Sequence, residues 1–267
     1  MKNFIVTTIR KPDSVTENFA EEISLKLGGK FVGREDFSFD ALKKIHGVEN
    51  ILLVKKNSLS IVTAQGELFF HPNTAHLRIK NLRCGEGDRL IDALKISAGS
   101  KVLDCTLGLG SDAIVESFIA GVAGKVVALE VNPLIAEIVR HGMKKFSDDS
   151  PHILEAMRRV EVINADCKDF LQTCADNSFD VIYFDPMFRR PIKKSSGINP
   201  IRPLADTRPL TEEIILEARR VAKFRVVMKE HSGSSEFERL GFKIAAGGKY
   251  SSVSFGVIEL DAKNFLC

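Results

Sequence analysis

From Lys101 onward the chain repeats one pattern five times: a short run rich in β-branched residues, then a stretch with helical spacing. The runs are KVLDC, KVVALE, VEVINAD, FDVIYFD and RVVMK, and helical stretches follow them at 112–120, 133–145, 168–175, 211–221 and 234–240. Strict alternation of this kind predicts a parallel sheet with helices on both faces, because each parallel pairing needs a crossover and a helix makes it compactly. FKIAAGG and SVSFGVIEL follow with no helical pattern between them, so the sheet is expected to finish on antiparallel pairing. The expected fold class is α/β: a doubly wound, mostly parallel Rossmann-like sheet with an antiparallel C-terminal strand. Residues 1–80 keep another rhythm. FIVTT and KFVG are interleaved with helices at 14–27 and near 39–46, and NILLVKK, LSIVTA and ELFF then come in succession, separated by turn residues. That predicts a small N-terminal α+β domain at 1–80 ahead of a large domain at 81–267. The linking stretch HPNTAHLRIKNLRCGEGDRLIDAL is expected to enter the large domain through a helix at 88–95.

A length of 267 residues, 44% of them apolar and 27% charged, supports a sizeable core in one large and one small domain. The cysteines at 84, 105, 167, 174 and 267 are odd in number and form no CxxC pair, which argues against a disulfide framework or a zinc ribbon and for a reducing, cytoplasmic compartment. The apolar run in MKNFIVTTIRKPDS is too short for a signal peptide, and no later segment approaches the roughly 18 apolar residues of a membrane span. A soluble protein without a membrane partner is expected. His71 and His76, spaced i, i+5, do not share a helix face, and no metal site is expected.

Ligands of open α/β sheets sit beyond the carboxyl ends of the strands, so the residues that end each run are the candidates for function. The first run ends in DCTLGLGSDA. There Asp104 closes the strand, Gly108 and Gly110 let the turn tighten, and the helix behind it offers unpaired N–H groups. The second ends at Glu130, and a carboxylate can take both hydroxyls of a ribose. Those features alone also fit a dinucleotide fold, since Gly108, Gly110 and Ala113 satisfy GxGxxG/A with Glu130 about 20 residues on. The third run ends in Asp166 and Cys167, and Asp166 suits either the amino group of an adenine or the N-cap of the next helix. The fourth ends in DPMF. Polar residues at four successive strand ends favour S-adenosylmethionine (SAM), which presents methionine, sulfonium, ribose and adenine in turn, over a nicotinamide cofactor.

GDRLIDAL, LDCTLGLGSDA, LEVNP, DPMF and RVVMK, in this order and at these separations, resemble the class I SAM-dependent methyltransferases. Within that class they are similar to the RsmJ-type enzymes, which modify a guanine exocyclic amino group in small-subunit ribosomal RNA. They resemble still more an uncharacterised sister family in Gram-positive bacteria. The likeness covers roughly residues 70–230. It implies SAM contacts at Ser111 and Asp112, at Glu130 and Val131, at Asp166 and Cys167, and at Asp185. DPMF resembles the (D/N)PP(Y/F) element of amino-methylating enzymes, with Met187 in place of the second proline. The chain departs from the rRNA family after this element, where it continues RRPIKKSSGINPIRPLADTRPL.

An exocyclic base amine is a poor nucleophile because its lone pair is delocalised into the ring. Asp185 and the carbonyls around Pro186 are the expected N–H acceptors, and Phe188 is the expected wall for the base. Stacking on an aromatic is worth roughly 1–3 kcal/mol, while alignment of the reactants supplies up to roughly 7–11 kcal/mol, so positioning outweighs any need for a strong base. Residues 187–209 hold Arg189, Arg190, Lys193, Lys194, Arg202 and Arg208 against Asp206 alone, a local net charge of +5 against +3 for the whole chain. Such a long basic loop suits RNA phosphates, with Arg189, Arg190, Lys193, Lys194 and Arg202 as substrate contacts and Arg78, Lys80 and Arg83 as a possible extension. The function expected is SAM-dependent methylation of an exocyclic amine in RNA, with guanine in ribosomal RNA the leading target. Methylation of a small molecule or a protein, and SAM or RNA binding without catalysis, stay open as alternatives.

Overall fold

The computed structural model describes residues 3–186, 200–246 and 251–260. In chain order the elements begin with β1 (Phe4–Thr8), α1 (Ser14–Leu27), β2 (Lys30–Phe31), α2 (Phe39–His46), β3 (Asn50–Val54), β4 (Leu59–Thr63) and β5 (Gly66–Phe69). Next come α3 (Asn73–Arg83), α4 (Arg89–Leu94), β6 (Lys101–Asp104), α5 (Ser111–Ala120), β7 (Lys125–Glu130), α6 (Pro133–Lys145), α7 (Pro151–Arg159), β8 (Val160–Asn164) and α8 (Cys167–Thr173). The last are β9 (Phe179–Phe184), α9 (Glu212–Val221), β10 (Ala222–His231), α10 (Glu236–Arg239), β11 (Lys243–Ala246) and β12 (Val253–Glu259). Two helices go beyond the sequence expectation. α3 occupies the stretch read as a linker, and α7 follows Ser150 with proline in its first turn and buries Ile153, Ala156 and Met157 at helical spacing.

The described residues fall into two compact units, neither continuous in sequence: 3–71 with 132–147 and 200–205, and the remainder. The sequence boundary expected at residue 80 lies inside α3, all of which belongs to the second unit.

The first unit carries a sheet in the order β2-β1-β3-β4-β5. β1 runs parallel to both β2 and β3, with Ile5 opposite Lys30 and Ile51, while β3, β4 and β5 form an antiparallel meander. Its first half is therefore a βαβαβ unit. Asp13 caps α1 by accepting from Thr16 N at 2.8 Å, and Ser38 caps α2 through Ala41 N at 3.1 Å. Leu42 of α2 packs on Ile5 and Ile51. Glu137 of α6 is held by Lys26 and Arg140 at 2.7 and 2.6 Å, and Gly142 gives the room that the ring of Phe70 takes.

The second unit holds the doubly wound sheet, ordered β11-β12-β10-β9-β6-β7-β8. β8, β7, β6, β9 and β10 are parallel, and β12 runs antiparallel to β10 and β11, which is the expected class. β6 and β7 lead away from the centre in one direction and β9 and β10 in the other, so the strand order switches between β6 and β9. Alternation along the strands divides the core. Ile182, Phe184, Val226 and Met228 enter a cluster with Leu171 of α8, Ile215 and Ala218 of α9 and Phe237 of α10. Tyr183 and Arg225 face the other way, onto α5 and α4: the Tyr183 hydroxyl donates to Asp112, and Arg225 Nη1 donates to Ala93 O at 2.9 Å.

Candidate active site

Asp104 lies opposite Tyr183 in the register of β6 and β9, and Tyr183 lies opposite Val227 of β10. Period-two alternation therefore brings Asp104, Tyr183, Asp185 and Lys229 to one face, at the carboxyl ends beside the switch in strand order. The chain turns out of β6 through Gly108 and Gly110, whose φ of 51° and 79° lie in the left-handed region that glycine enters freely. That turn starts α5, which presents Ser111 and Asp112 in its first turn.

Asp112 is the hub. Its Oδ1 accepts from Arg78 Nη1 at 2.5 Å, and its Oδ2 accepts from the Tyr183 hydroxyl at 2.8 Å and Lys229 Nζ at 3.2 Å. Lys229 Nζ also donates to Asp185 Oδ2 at 2.6 Å, and Arg78 forks onto Asp88 at 2.7 and 2.8 Å. Burial works against the Asp112 carboxylate, but Lys229 and Arg78 outweigh it and hold its pKa down to about 2. The same two carboxylates raise Lys229 above its ordinary value against the pull of burial.

The other acids of this face are less well matched. Burial pushes Asp185 up to about 6, although Lys229 draws it down. Asp104 is pushed by burial up to about 8, against its hydrogen bond from Thr106 N and with Asp112 and Asp185 adding to the rise. Glu116 of α5 is fully buried, neither of its oxygens has a hydrogen bond, and burial raises it well above the usual carboxylate range. Two cations, Arg78 and Lys229, thus serve Asp88, Asp112 and one oxygen of Asp185, while burial favours the protonated forms of Asp104 and Glu116. Thr106 links two strand ends: its hydroxyl accepts from Asp185 N at 2.6 Å and lies 3.3 Å from Asp104 Oδ1. Asp104 Oδ2 and Ser111 Oγ are buried with no hydrogen-bond partner among the described residues.

Glu130, at the end of β7, receives Gly108 N at 3.2 Å, and Val131 behind it is exposed. Asn164 Nδ2 donates to the carbonyls of Glu130 and Val131 at 2.7 and 3.0 Å, fixing their backbone. Asp166 caps α8 by accepting from Lys168 N at 2.8 Å, the second of the two roles the sequence allowed it, and its other oxygen accepts from Arg208 Nη2 at 2.6 Å. Burial, with Asp166 alongside, lifts the Cys167 thiol to about 11, so it stays protonated.

The structure gathers Asp104, Gly108, Gly110, Ser111, Asp112, Glu130, Val131, Asp166, Cys167, Asp185 and Pro186 along these carboxyl ends. Phe188, Arg189, Arg190, Lys193 and Lys194 lie outside the described residues, and Arg202 is exposed. Two expectations are corrected. Arg78 is no surface contact for phosphate: its side chain is mostly buried between Asp88 and Asp112. Arg208, counted in the net charge of that segment and not among the substrate contacts, is tied to Asp166 and Asp206. Sequence reasoning missed Thr106, Tyr183 and Asn164, and quoted Lys229 only as the end of RVVMK. The signal for Tyr183 and Lys229 was a polar residue in an apolar run, at the parity that faces Asp112.

The chain matches a family described as "Putative SAM-dependent methyltransferase" over residues 41–249. It is 40% identical over 256 residues to "Uncharacterized protein YpiP" of Bacillus subtilis (strain 168), a match that covers 96% of this chain and 99% of that protein. Ribosomal RNA small subunit methyltransferase J of Coxiella burnetii (strain RSA 331 / Henzerling II) is 32% identical over 168 residues, 60% of this chain and 62% of that enzyme. The corresponding enzyme of Psychrobacter arcticus is 30% identical over 146 residues, 52% of this chain and 47% of that enzyme. A crystal structure of a SAM-dependent methyltransferase from Neisseria gonorrhoeae shares the fold with a TM-score of 0.62 at 17% identity, over 95% of each chain.

Proposed function

The chain belongs to the SAM-dependent methyltransferases and uses SAM as its cofactor, and from that premise we propose that it methylates an exocyclic amino group of a base in RNA, most specifically a guanine in ribosomal RNA. The observation that carries the amine is Asp185: a carboxylate at the end of β9, on the switch-point face, with one oxygen on Lys229 and the other making no hydrogen bond among the described residues. The rRNA target is supported by the two methyltransferases J, whose names state it and which match about half to three fifths of this chain.

SAM, when bound, supplies an electrophilic methyl group on a sulfonium. The residues present fit it. The unpartnered Asp104 Oδ2 and Ser111 Oγ are suited to the polar methionine end, Glu130 to the ribose hydroxyls, and Val131, Asp166 and Cys167 to the adenine. Asp112 has both carboxylate oxygens engaged within the protein, so what it offers a ligand is its backbone N–H, one of the first-turn donors of α5.

Asp185 accepts an N–H of the base amine, which favours a pyramidal nitrogen whose lone pair is available for attack. Lys229 fixes the orientation of that carboxylate, and Thr106 takes the Asp185 N–H. Pro186 has no N–H of its own, so the acceptor carbonyls around it face no competing backbone donor there. Phe188 stacks on the base, and Arg189, Arg190, Lys193, Lys194 and Arg202 bind phosphates. A cytoplasmic location follows from this substrate. Among the described residues no helix is long and apolar enough to cross a membrane.

The test is transfer of radiolabelled methyl from SAM to ribosomal RNA purified from a strain that lacks the protein, followed by nucleoside analysis. N-methylated guanosine is expected. Label confined to protein or small molecules would overturn the RNA substrate while leaving the enzyme class intact.

A further inference from the structure

The first unit repeats the topological logic of the second on a smaller scale. β2, β1 and β3 are parallel and ordered 2-1-3, so the chain entering β2 and the chain entering β3 go to opposite sides of β1. Right-handed crossovers then put α1 and α2 on opposite faces, and Leu42 of α2 indeed packs on Ile5 and Ile51. Beyond the carboxyl ends, the chain leaving β1 turns away into α1, while the chain leaving β3 turns within the sheet into β4. The carboxyl ends of β1 and β3 are therefore neighbours, with one chain leaving toward a helix and the other turning back within the sheet.

What lines that edge is cationic. Arg10 and Lys11 follow β1, Arg34 follows β2, and Lys55 and Lys56 follow β3; the acids at the same end are Asp13, Glu35 and Asp36. Asp13 caps α1, accepting from both Thr16 N and Thr16 Oγ1, with the positive charge of Lys56 close enough to act on it, and Lys55 is paired with Glu67. Arg10, Lys11, Arg34 and Lys56 have no ion pair among the described residues. Arg10 donates only to a backbone carbonyl, Asp36 O, at 3.4 Å. Arg34 is only 9% exposed, and its guanidinium lies 3.9 Å from the centroid of the Phe39 ring and donates to Phe37 O. Burial, with the like charge of Arg10 beside it, holds the Arg34 pKa below its ordinary value. Two arginines kept together with no carboxylate, one of them buried and locked on an aromatic, cost stability that an external anion recovers.

We infer that the cationic edge at the carboxyl ends of β1 and β3 is a docking surface for the phosphate backbone of the RNA substrate, through Arg10, Lys11, Arg34 and Lys56. The inference rests on the RNA reading above and gives the small unit a role in it. Phosphodiesters suit this edge because its cations lie on loops from three successive strands, spread as a strip, with exposed Phe37 beside them.

The test uses the full chain and a fluorescein-labelled transcript of small-subunit ribosomal RNA, with binding followed by anisotropy across a salt series. The variant R10S/K11S/K56S is compared with K30S/K43S/K44S, which removes the same charge toward the amino ends of the same strands. For the first, the slope of log K against log salt is expected to fall by about 2, since each single-strand phosphate contact contributes about 0.7. The second keeps the wild-type slope, and SAM affinity by calorimetry is unchanged in both. An equal fall in both variants would overturn the inference in favour of net charge. A wild-type slope in the first variant would also overturn it and leave the RNA reading standing, whereas failure of the wild-type chain to bind RNA would sink both. Loss of labelled-mononucleotide binding with RNA binding intact would reassign the surface to a small phosphate ester.

Discussion

The carboxyl ends of the two sheets obey the same topological rule with opposite charge. In the large sheet the edge is acidic and mostly buried: Asp104, Asp112, Glu116 and Asp185 crowd together, with Arg78 and Lys229 among them as counterions. In the small sheet the edge is basic and open to solvent: Arg10, Lys11 and Lys56 are exposed and make no ion pair among the described residues, and only Arg34 is buried. A buried charge must find its partner inside the protein because desolvation is expensive, whereas a surface charge can wait for a ligand at little cost. One edge is thus built to position small groups that carry hydrogen-bond donors, and the other to receive an extended anion.

The sharpest way to break this comparison is at Asp185. Asp185→Ala is expected to lower the turnover for methyl transfer by about two to three orders of magnitude, on the scale of losing one preorganised polar contact to the reacting group. Near-wild-type transfer would make the acidic edge purely structural. Because burial raises this carboxyl to about 6, the accepting form is present above that pH, and wild-type turnover is expected to fall as pH drops through about 6. A free aspartate would give the same fall only near pH 4.

Lys229 tests the claim that buried charges must be matched. Lys229→Met leaves Asp112 and Asp185 short of a counterion and should cost about 3–5 kcal/mol in denaturant unfolding at pH 8. The deficit should shrink as pH falls from 8 toward 6, because without Lys229 the Asp185 carboxyl takes up its proton above the wild-type value of about 6. A deficit that does not change with pH would mean that lost packing, not charge, sets the cost.

The smallest effect belongs to Arg208. Its side chain is 64% exposed although it touches both Asp166 and Asp206, so Arg208→Ala should cost no more than about 1 kcal/mol in thermal unfolding. A larger loss would show that exposed pairs at this rim behave like the buried ones, and the contrast between the two edges would weaken.

Much of this was legible along the chain, and where legibility stopped has a physical cause. The five strand-helix repeats, the cap at Asp166 and the turn through Gly108 and Gly110 are all set by residues close in sequence, so period and residue type reveal them. α7 was missed because it is only nine residues long, and α3 because its polar, basic stretch reads as a connector. Arg78 looked like a surface cation for the same reason. Nothing near it in sequence announces Asp112, which is 34 residues away. Lys229 is 44 residues from Asp185 and 117 from Asp112, yet all three meet because β6, β9 and β10 are neighbours.

The sequence alone therefore determined which residues end the strands, since strand periodicity and turn chemistry are local, and with them the α/β class and the face on which chemistry is possible. Only the tertiary structure decided which of those residues are committed and how burial treats them: that Asp112 is saturated, Asp104 and Glu116 are raised by burial, Asp185 is poised near pH 6, and Arg10 and Arg34 have no carboxylate partner among the described residues. Protonation and pairing depend on burial and on neighbours brought from distant strands, and neither is written in any local stretch of chain.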